Sequence, residues 1–158
     1  MKKIVNVMIA GLGGQGVLKA SDIVAEAAFE AGFDVKKSEV HGMSQRGGSV
    51  TSEIRYGSDV ASPMIPAGET DYLVVLEDTQ IEVVKSSLAS GGVLIPLGTV
   101  DAAKLANPKT VNIALLGALS RYLDIPENCW VQALKKFLPE KHHAVNLDAF
   151  ALGRAAVK

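Results

Sequence analysis

The glycine-rich turn after the first apolar run constrains the fold of this chain more than any other feature. Residues 4–10 are mostly apolar and lead into the sequence Gly11-Leu12-Gly13-Gly14-Gln15-Gly16. Apolar residues then recur at helical spacing until Gly32, a pattern typical of a helix that ends at a glycine. The order of strand, tight turn and helix predicts an α/β fold.

The rest of the chain extends this alternation. Further strands are expected at residues 33–40, 49–56, 72–76 and 93–95, and further helices at 79–89, 111–123, 126–138 and 146–156. The uninterrupted apolar run at 72–76 is typical of a strand buried on both faces, which favours a parallel sheet. We therefore predict a Rossmann-like three-layer fold with a mostly parallel sheet and C-terminal helices, as a single domain over residues 1–158. Asn146 is the expected cap of the last helix.

Charge and hydropathy exclude several classes of function. Sixteen Lys and Arg against seventeen Asp and Glu give a formal net charge of −1. That balance offers no basic excess for nucleic acid. No apolar stretch approaches the roughly 18–20 residues of a membrane span, and the N-terminus lacks a signal-peptide cleavage site. The sequence predicts a soluble, cytoplasmic protein that binds neither nucleic acid nor membrane.

Cys129 is the single cysteine of the chain. One thiol excludes an intramolecular disulfide, a C-x-x-C redox pair and an iron–sulfur cluster held by this chain's own thiolates. We expect Cys129 to be a small buried hydrophobic residue.

The glycine spacing is that of dinucleotide-binding turns, in which glycines allow a tight turn and close approach of a pyrophosphate to a helix N-terminus. Such sites also need an acid at the end of the second strand to hold a ribose hydroxyl. Asp34 and Glu39 are the candidates, and Glu39 is the better placed. Neither fits the pattern well, so the turn either binds a nucleotide or another phosphate, or serves packing alone.

A second glycine-rich segment, residues 41–49, follows the second predicted strand and so approaches the first turn. Arg46 is suited to clamp a carboxylate or phosphate, although a surface loop that meets water or a partner subunit is an equal alternative. The predicted ligand-contacting residues are Gly11, Gly13, Gly14, Gln15, Gly16, His41, Gly42, Ser44, Gln45, Arg46, Gly47, Gly48 and Ser49. We predict no catalytic residue, because no nucleophile with a supporting acid can be placed beside His41.

Two other groups of polar residues are weaker candidates. Glu77 and Asp78 follow the buried strand and either face a ligand or cap the next helix. His142 and His143 are adjacent near a helix end and are expected to be solvated, so no metal site is predicted.

Five segments in order, at residues 7–17, 41–50, 62–65, 112–118 and 146–150, resemble the gamma subunit or domain of 2-oxoacid:ferredoxin oxidoreductases. Within that family the sequence is most similar to the beta subunit of indolepyruvate:ferredoxin oxidoreductases. One departure is the stretch from Val93 to Thr110, which is shorter than the family usually has.

The resemblance implies a complex of anaerobic metabolism that converts a 2-oxoacid and coenzyme A to acyl-CoA, CO₂ and reduced ferredoxin. Thiamine diphosphate, Mg²⁺ and 4Fe-4S clusters would belong to a partner subunit. This chain would be a non-catalytic subunit, inactive alone and able to homodimerise, with the glycine turn and the 41–49 segment directed at coenzyme A or at the partner.

Two other functions remain open on the sequence: a stand-alone NAD(P)-binding Rossmann oxidoreductase and a nucleotide-binding regulatory module. The glycine turn fits all three functions, whereas the 41–49 segment fits only the subunit. A dehydrogenase of this length would also need a catalytic acid or base in its C-terminal helices, where none is visible.

Overall fold

The computed structural model describes residues 4–41 and 48–158. Five strands form one sheet: β1 (Ile4–Leu12), β2 (Asp34–His41), β3 (Ser49–Gly57), β4 (Thr70–Val75) and β5 (Leu88–Ile95). The α-helices are α1 (Val17–Glu30), α2 (Ile81–Val84), α3 (Val111–Ser120), α4 (Glu127–Phe137) and α5 (His143–Ala156). Short 3-10 turns connect several of these elements. Within the described ranges, no helix combines the length and apolar character needed to cross a bilayer.

The strands lie in the order β2-β3-β1-β4-β5. β1 is parallel to β4, and β4 to β5, whereas β3 runs antiparallel to both β1 and β2. β3 is thus the one reversed strand among the five described, which confirms the prediction of a mostly parallel sheet. Because of its reversal, β3 begins at the edge where the other four strands end. We call this edge the carboxyl edge.

Four helices cover one face of the sheet, which we call the helical face. Side chains of β1 alternate, so Val7 and Ile9 point into the main core together with Ile54 of β3 and Val74 of β4. Helices α1, α3, α4 and α5 contribute the rest of that core, including the fully buried Trp130. Cys129 is buried in the same core, as predicted.

The opposite face, called the thin face, has much less covering it. A small second core forms there from Met8, Ala10, Leu73 and Val75 of the strands and Val84 of α2. The third layer consists of the single-turn helix α2 and of residues 62–66, whose Ile65 packs against this core. We call residues 62–66 the crossing segment.

Two glycines allow α3 and α5 to pack with their backbones in contact. A Cβ atom on Gly117 would overlap the carbonyl oxygen of Phe150, and one on Gly153 would overlap that of Ala114. Because no side chain separates the helices at this crossing, α5 is held close over α3, and the end of the chain completes the main core.

The structure corrects the prediction for residues 79–89. A continuous helix is absent from these residues: 3-10 turns at Asp78–Gln80 and Lys85–Ser87 flank α2, and β5 already begins at Leu88. Pairing with β4 draws the end of this stretch, from Leu88, into the sheet, and the following Gly91 and Gly92 lie in an irregular part of β5, where Gly91 has a φ of 79°. Tertiary pairing here overrides local helix propensity.

Asn146 does not cap the last helix. α5 begins three residues earlier, at His143, and the Asn146 amide Nδ2 donates to the His142 carbonyl oxygen over 2.9 Å. The side chain therefore bonds back along the helix rather than closing its start, a role open to asparagine within helices as well as at their ends.

Candidate functional site

The glycine turn joins β1 to α1 with two residues in the left-handed region. Gly14 has a φ of 88° and Gly16 a φ of 82°, conformations that glycine adopts without steric strain. Gly16 directly precedes α1, and a Cβ atom there would lie only 2.6 Å from Nδ2 of Asn112 at the start of α3. The glycine therefore permits both the turn and the close approach of the two helix starts.

Gln15 fills the inside of this turn. Its Oε1 accepts from the backbone N–H of Leu12 over 2.7 Å, and its Nε2 donates to Oε1 of Glu77 over 2.8 Å. A Cβ atom on Gly11 would come within 2.8 Å of the same Oε1. Glycine at position 11 thus makes room for the Gln15 amide, which connects the end of β1 to the residues after β4.

The start of β3 is fixed to the same place. The Gly13 N–H donates to the carbonyl oxygen of Gly48 over 3.0 Å, and the Ser49 hydroxyl donates to Oε1 of Gln80 over 2.6 Å. The structure thus brings two residues of the 41–49 segment against the glycine turn. His41 ends β2. The predicted contacts Gly42, Ser44, Gln45, Arg46 and Gly47 lie outside the described residues and stay predictions.

A cleft of about 490 Å³ opens beside the turn, lined by Gly14, Gln15, Gly16, Leu76, Lys109, Val111 and Asn112. It lies between the ends of β1 and β4, from which α1 and α2 leave toward opposite faces of the sheet. Open α/β sheets bind ligands at such switch points. Lys109 and Asn112 were missed by the sequence analysis, because only the fold brings the start of α3 to the glycine turn.

The electrostatics of this cleft favour an anion. Gly16 supplies no side-chain cap to α1, and the first turn of that helix contains no acidic residue. The first N–H groups of a helix lack intrahelical partners and carry partial positive charge. Lys109 adds a full positive charge, and none of the seven lining residues is acidic. Glu77, the nearby acid, has its Oε1 engaged by Gln15.

The structure leaves the NAD(P)-binding interpretation without an acidic residue that could bind a ribose. β3 separates β2 from β1, so Glu39 lies two strand spacings, about 10 Å, from the strand that bears the turn. Glu39 is also paired with Lys37 over 2.7 Å. Asp34 lies at the other end of β2, where its Oδ2 accepts from the Val60 N–H over 2.8 Å. Neither acid is placed to hold a ribose beside Gly11–Gly16.

Two of the remaining sequence candidates, Glu77 and His143, have structural partners. Glu77 precedes a 3-10 turn but makes no capping hydrogen bond to it, since it accepts from Gln15 instead. Nε2 of His143 lies 2.8 Å from the carbonyl oxygen of Leu138. Among the residues that the structure describes, no group of three or more His, Cys, Asp or Glu could hold a metal ion.

Comparison with known proteins places the chain in a family. The family model described as pyruvate ferredoxin/flavodoxin oxidoreductase matches residues 6–101 and 95–156. The two matched segments meet at 95–101, inside the stretch that the sequence analysis identified as short.

A curated relative supports the same assignment. The indolepyruvate oxidoreductase subunit IorB of Thermococcus kodakarensis is 33% identical, with 97% of this chain and 96% of that protein covered. The alignment runs over 193 positions, 35 more than the 158 residues of this chain. The relative therefore carries residues that this chain lacks.

Solved structures share the fold. Pyruvate oxidoreductase subunit PORC from Thermotoga maritima has a TM-score of 0.81 at 25% identity, covering 99% of this chain and 98% of that one. The 2-oxoglutarate:ferredoxin oxidoreductase from Magnetococcus marinus, solved with 2-oxoglutarate, coenzyme A and succinyl-CoA bound, has a TM-score of 0.80 at 23% identity. There, 99% of this chain matches 31% of a longer chain. With nearly its whole length matched by the family model, this chain belongs to the pyruvate ferredoxin/flavodoxin oxidoreductase family.

Proposed function

We propose that this chain is the non-catalytic subunit of a thiamine-dependent 2-oxoacid:ferredoxin oxidoreductase that acts on indolepyruvate or a related arylpyruvate. The observation that carries the proposal is the end-to-end similarity to an indolepyruvate oxidoreductase subunit, with 33% identity. The complex would convert the 2-oxoacid and coenzyme A to acyl-CoA and CO₂ and pass two electrons to ferredoxin. The cytoplasm is its expected location.

Thiamine diphosphate, Mg²⁺ and 4Fe-4S clusters are the cofactors that we expect in such a complex. A 4Fe-4S cluster needs several thiolates, whereas the single cysteine, Cys129, is buried within the main core. The described residues also offer no carboxylate or histidine cluster for a metal. We therefore assign these groups to a partner subunit, and no chemical step is attributed to side chains of this one.

For this chain we propose a role in coenzyme A binding at the carboxyl edge. The start of α1, which has no side-chain cap, would neutralise phosphate groups of coenzyme A together with Lys109 and the Arg46 side chain from the 41–49 segment. Gln15 would hold the turn in the conformation that presents its N–H groups. The support comes from the anion-favouring cleft and from the predicted segment, whose Gly48 accepts a hydrogen bond from Gly13 of the glycine turn and whose Ser49 donates to Gln80.

The test begins with anaerobic purification of the tagged chain together with whatever partner it binds in its own cells. Oxoacid-dependent and coenzyme-A-dependent ferredoxin reduction is then measured for the wild type and for Arg46→Ala and Lys109→Ala. We expect each substitution to raise the KM for coenzyme A about tenfold, because each removes one charged contact to a phosphate, worth about 1.4 kcal/mol. The KM for the oxoacid should not change.

Lys85→Ala is the matched control. Lys85 is an exposed lysine after α2, paired only with the neighbouring Glu82 in the contacts described, and it lies outside the cleft. If Arg46→Ala and Lys109→Ala leave the coenzyme A KM, the turnover and the assembly of the complex at control values, the coenzyme A role is wrong. A wild-type chain that purifies alone, without iron, contradicts the subunit function itself.

Substrate preference is tested on the same complex. We expect kcat/KM for indolepyruvate to exceed that for pyruvate and for 2-oxoglutarate by at least tenfold. A preference for either of the smaller acids would place the complex in another branch of the family and leave the subunit function intact.

A further inference from the structure

Another cavity, which we call the second cavity, adjoins the cleft at the start of α3. It has a volume of about 340 Å³ and shares Lys109 and Asn112 with the cleft. Its other walls come from the 3-10 turn before α3, from the residues that follow α4 and from the start of α5. A ligand longer than the cleft can therefore continue past the two shared residues into the second cavity.

One wall of the second cavity is apolar. Ile113, Leu138 and Val145 line it. Ile113 is buried, and the other two side chains are half-buried. Ligand pockets typically combine such a wall with a few polar groups that set the orientation of the ligand. The wall can cover the face of a heterocyclic ring, whose removal from water is favourable.

Asn146 supplies a buried polar group to the same cavity. Its side chain is 8% exposed, and its Nδ2 donates to the carbonyl oxygen of His142 over 2.9 Å. No donor among the described residues bonds to its Oδ1. Because a buried acceptor without a donor costs stability, this oxygen is suited to accept from the amino group of a ligand such as an adenine.

The charges around the second cavity favour an anion. Lys109 and His142 line it, and none of its ten lining residues is acidic. Residues from the first turns of α3 and α5 also line it, and the N-terminus of each helix carries partial positive charge. Glu140 is close to His142 in sequence but lies outside the lining. A phosphate beside His142 would therefore meet no carboxylate in this lining.

We propose that the second cavity binds the 3′-phosphoadenosine end of coenzyme A, and that His142 contacts the 3′-phosphate. This inference rests on the proposed function. Coenzyme A carries a pyrophosphate followed by an adenosine with a 3′-phosphate, so its groups follow the same order as the two cavities. With the pyrophosphate in the cleft, the adenosine lies past Lys109 and Asn112 against the apolar wall. The pantetheine arm leaves the cleft in the other direction.

This placement makes His142 a specificity-determining residue, because 3′-dephospho-coenzyme A lacks the phosphate that it contacts. The test measures the KM of the purified complex for both coenzymes. In the wild type we expect the KM for 3′-dephospho-coenzyme A to be about tenfold higher, since one charged contact is lost. His142→Glu should raise the KM for coenzyme A about tenfold through repulsion of the 3′-phosphate. It should leave the KM for 3′-dephospho-coenzyme A unchanged.

Lys141→Glu is the matched control. Lys141 is exposed, directly precedes His142 in the sequence and lies outside the lining of the second cavity. Its replacement changes the net charge by more than His142→Glu does, yet it should keep the wild-type ratio of the two KM values. His142→Ala should act in the same direction as His142→Glu with a smaller rise, and it serves if the glutamate variant does not assemble.

Binding without turnover gives a second measurement. Adenosine 3′,5′-bisphosphate and adenosine 5′-monophosphate differ only in the 3′-phosphate, and calorimetric titration of the same complexes with each gives two dissociation constants. We expect the bisphosphate to bind about tenfold more tightly to the wild type and to Lys141→Glu. In His142→Glu this preference should be lost.

Equal KM values for the two coenzymes in the wild type would overturn the 3′-phosphate site. Wild-type values in both His142 variants would also overturn it, as would an equal rise of both KM values in His142→Glu. In each case the coenzyme A role of the cleft stands if Arg46→Ala and Lys109→Ala raise the KM for coenzyme A. If those two variants match their control as well, the proposed coenzyme A role fails together with this site.

Discussion

The amide of Gln15 donates to the Glu77 carboxylate over 2.8 Å and so connects the turn after β1 with the turn after β4. These turns flank the point from which α1 and α2 leave toward opposite faces of the sheet. The same amide accepts from the Leu12 N–H. One side chain thereby fixes the positions of the ends of β1 and β4 relative to each other.

Gln15→Ala is expected to lower the free energy of unfolding by about 1–3 kcal/mol, because it removes two hydrogen bonds of about 0.5–1.5 kcal/mol each. Urea denaturation of the isolated chain measures this. Glu82→Ala is the control, since it breaks an exposed ion pair with Lys85 that contributes little. Equal midpoints for the two variants would show that the Gln15 contacts do not stabilise the fold.

Gly153→Ala is expected to destabilise the chain by at least about 2–3 kcal/mol, or to prevent folding, because its Cβ would overlap the backbone of α3. Gly98→Ala is the matched change: nothing lies within 4 Å of a Cβ there and its φ is ordinary. Thermal unfolding followed by circular dichroism should separate the two. A Gly153→Ala protein as stable as Gly98→Ala would mean that α3 and α5 pack less closely than described.

Gly14→Ala and Gly16→Ala separate backbone strain from crowding in the cleft. Both require alanine at a positive φ, which costs about 1–2 kcal/mol. A Cβ at Gly14 meets open space, whereas one at Gly16 meets the Asn112 amide. In the assembled complex we expect Gly16→Ala to raise the KM for coenzyme A more than Gly14→Ala does. The reverse order would place the ligand on the outer side of the turn.

Tyr56→Phe is expected to change the free energy of unfolding at pH 7 by less than about 0.5 kcal/mol, or to raise it. The Tyr56 hydroxyl is buried without a hydrogen-bond partner among the described residues, so its removal relieves a desolvation cost. Denaturant titration of both proteins checks this value. A loss above 1 kcal/mol would reveal a bond that the hydroxyl makes.

The stability of the same variant should also differ from that of the wild type at alkaline pH. Burial, and secondarily the negative charge of Asp124, raise the pKa of Tyr56 above its ordinary value of 10.0. Above pH 10 the unfolded chain ionises this tyrosine while the folded chain does not, so the wild type loses stability as the pH rises. Tyr56→Phe lacks this contribution. Its stability relative to the wild type should therefore increase from pH 10 upward. If the free energies of unfolding of the two proteins change with pH in parallel, the pKa of Tyr56 is not raised.

Local patterns predicted the fold where a residue's surroundings follow from its neighbours in sequence. β1, α1 and β3 begin within one residue of the expected positions. Long-range pairing was invisible to the same patterns. The pattern of residues 79–89 is compatible with a helix, and only pairing with β4 makes the end of this stretch, from Leu88, a strand.

The candidate site was likewise predictable only where its contacts follow from local sequence. The glycine turn is local, and its close approach to Gly48 and Ser49 follows from two strand ends meeting at one edge. Lys109 and Asn112 lie nearly a hundred residues from the turn, and no spacing rule connects them to it. Glu39 was the better placed of two ribose-binding candidates that fitted the pattern poorly, and β3 inserts between β2 and β1.

The reversal of β3 determines where the sequence and length of this chain can vary without disturbing the sheet. If all the strands were parallel, the chain would have to cross back along the full length of a strand after β2 before the next strand could begin. Here the chain leaves β2 and enters β3 on the same side, anchored by Gly48 and Ser49. The stretch between them can therefore be replaced or lengthened without shifting the register of any strand.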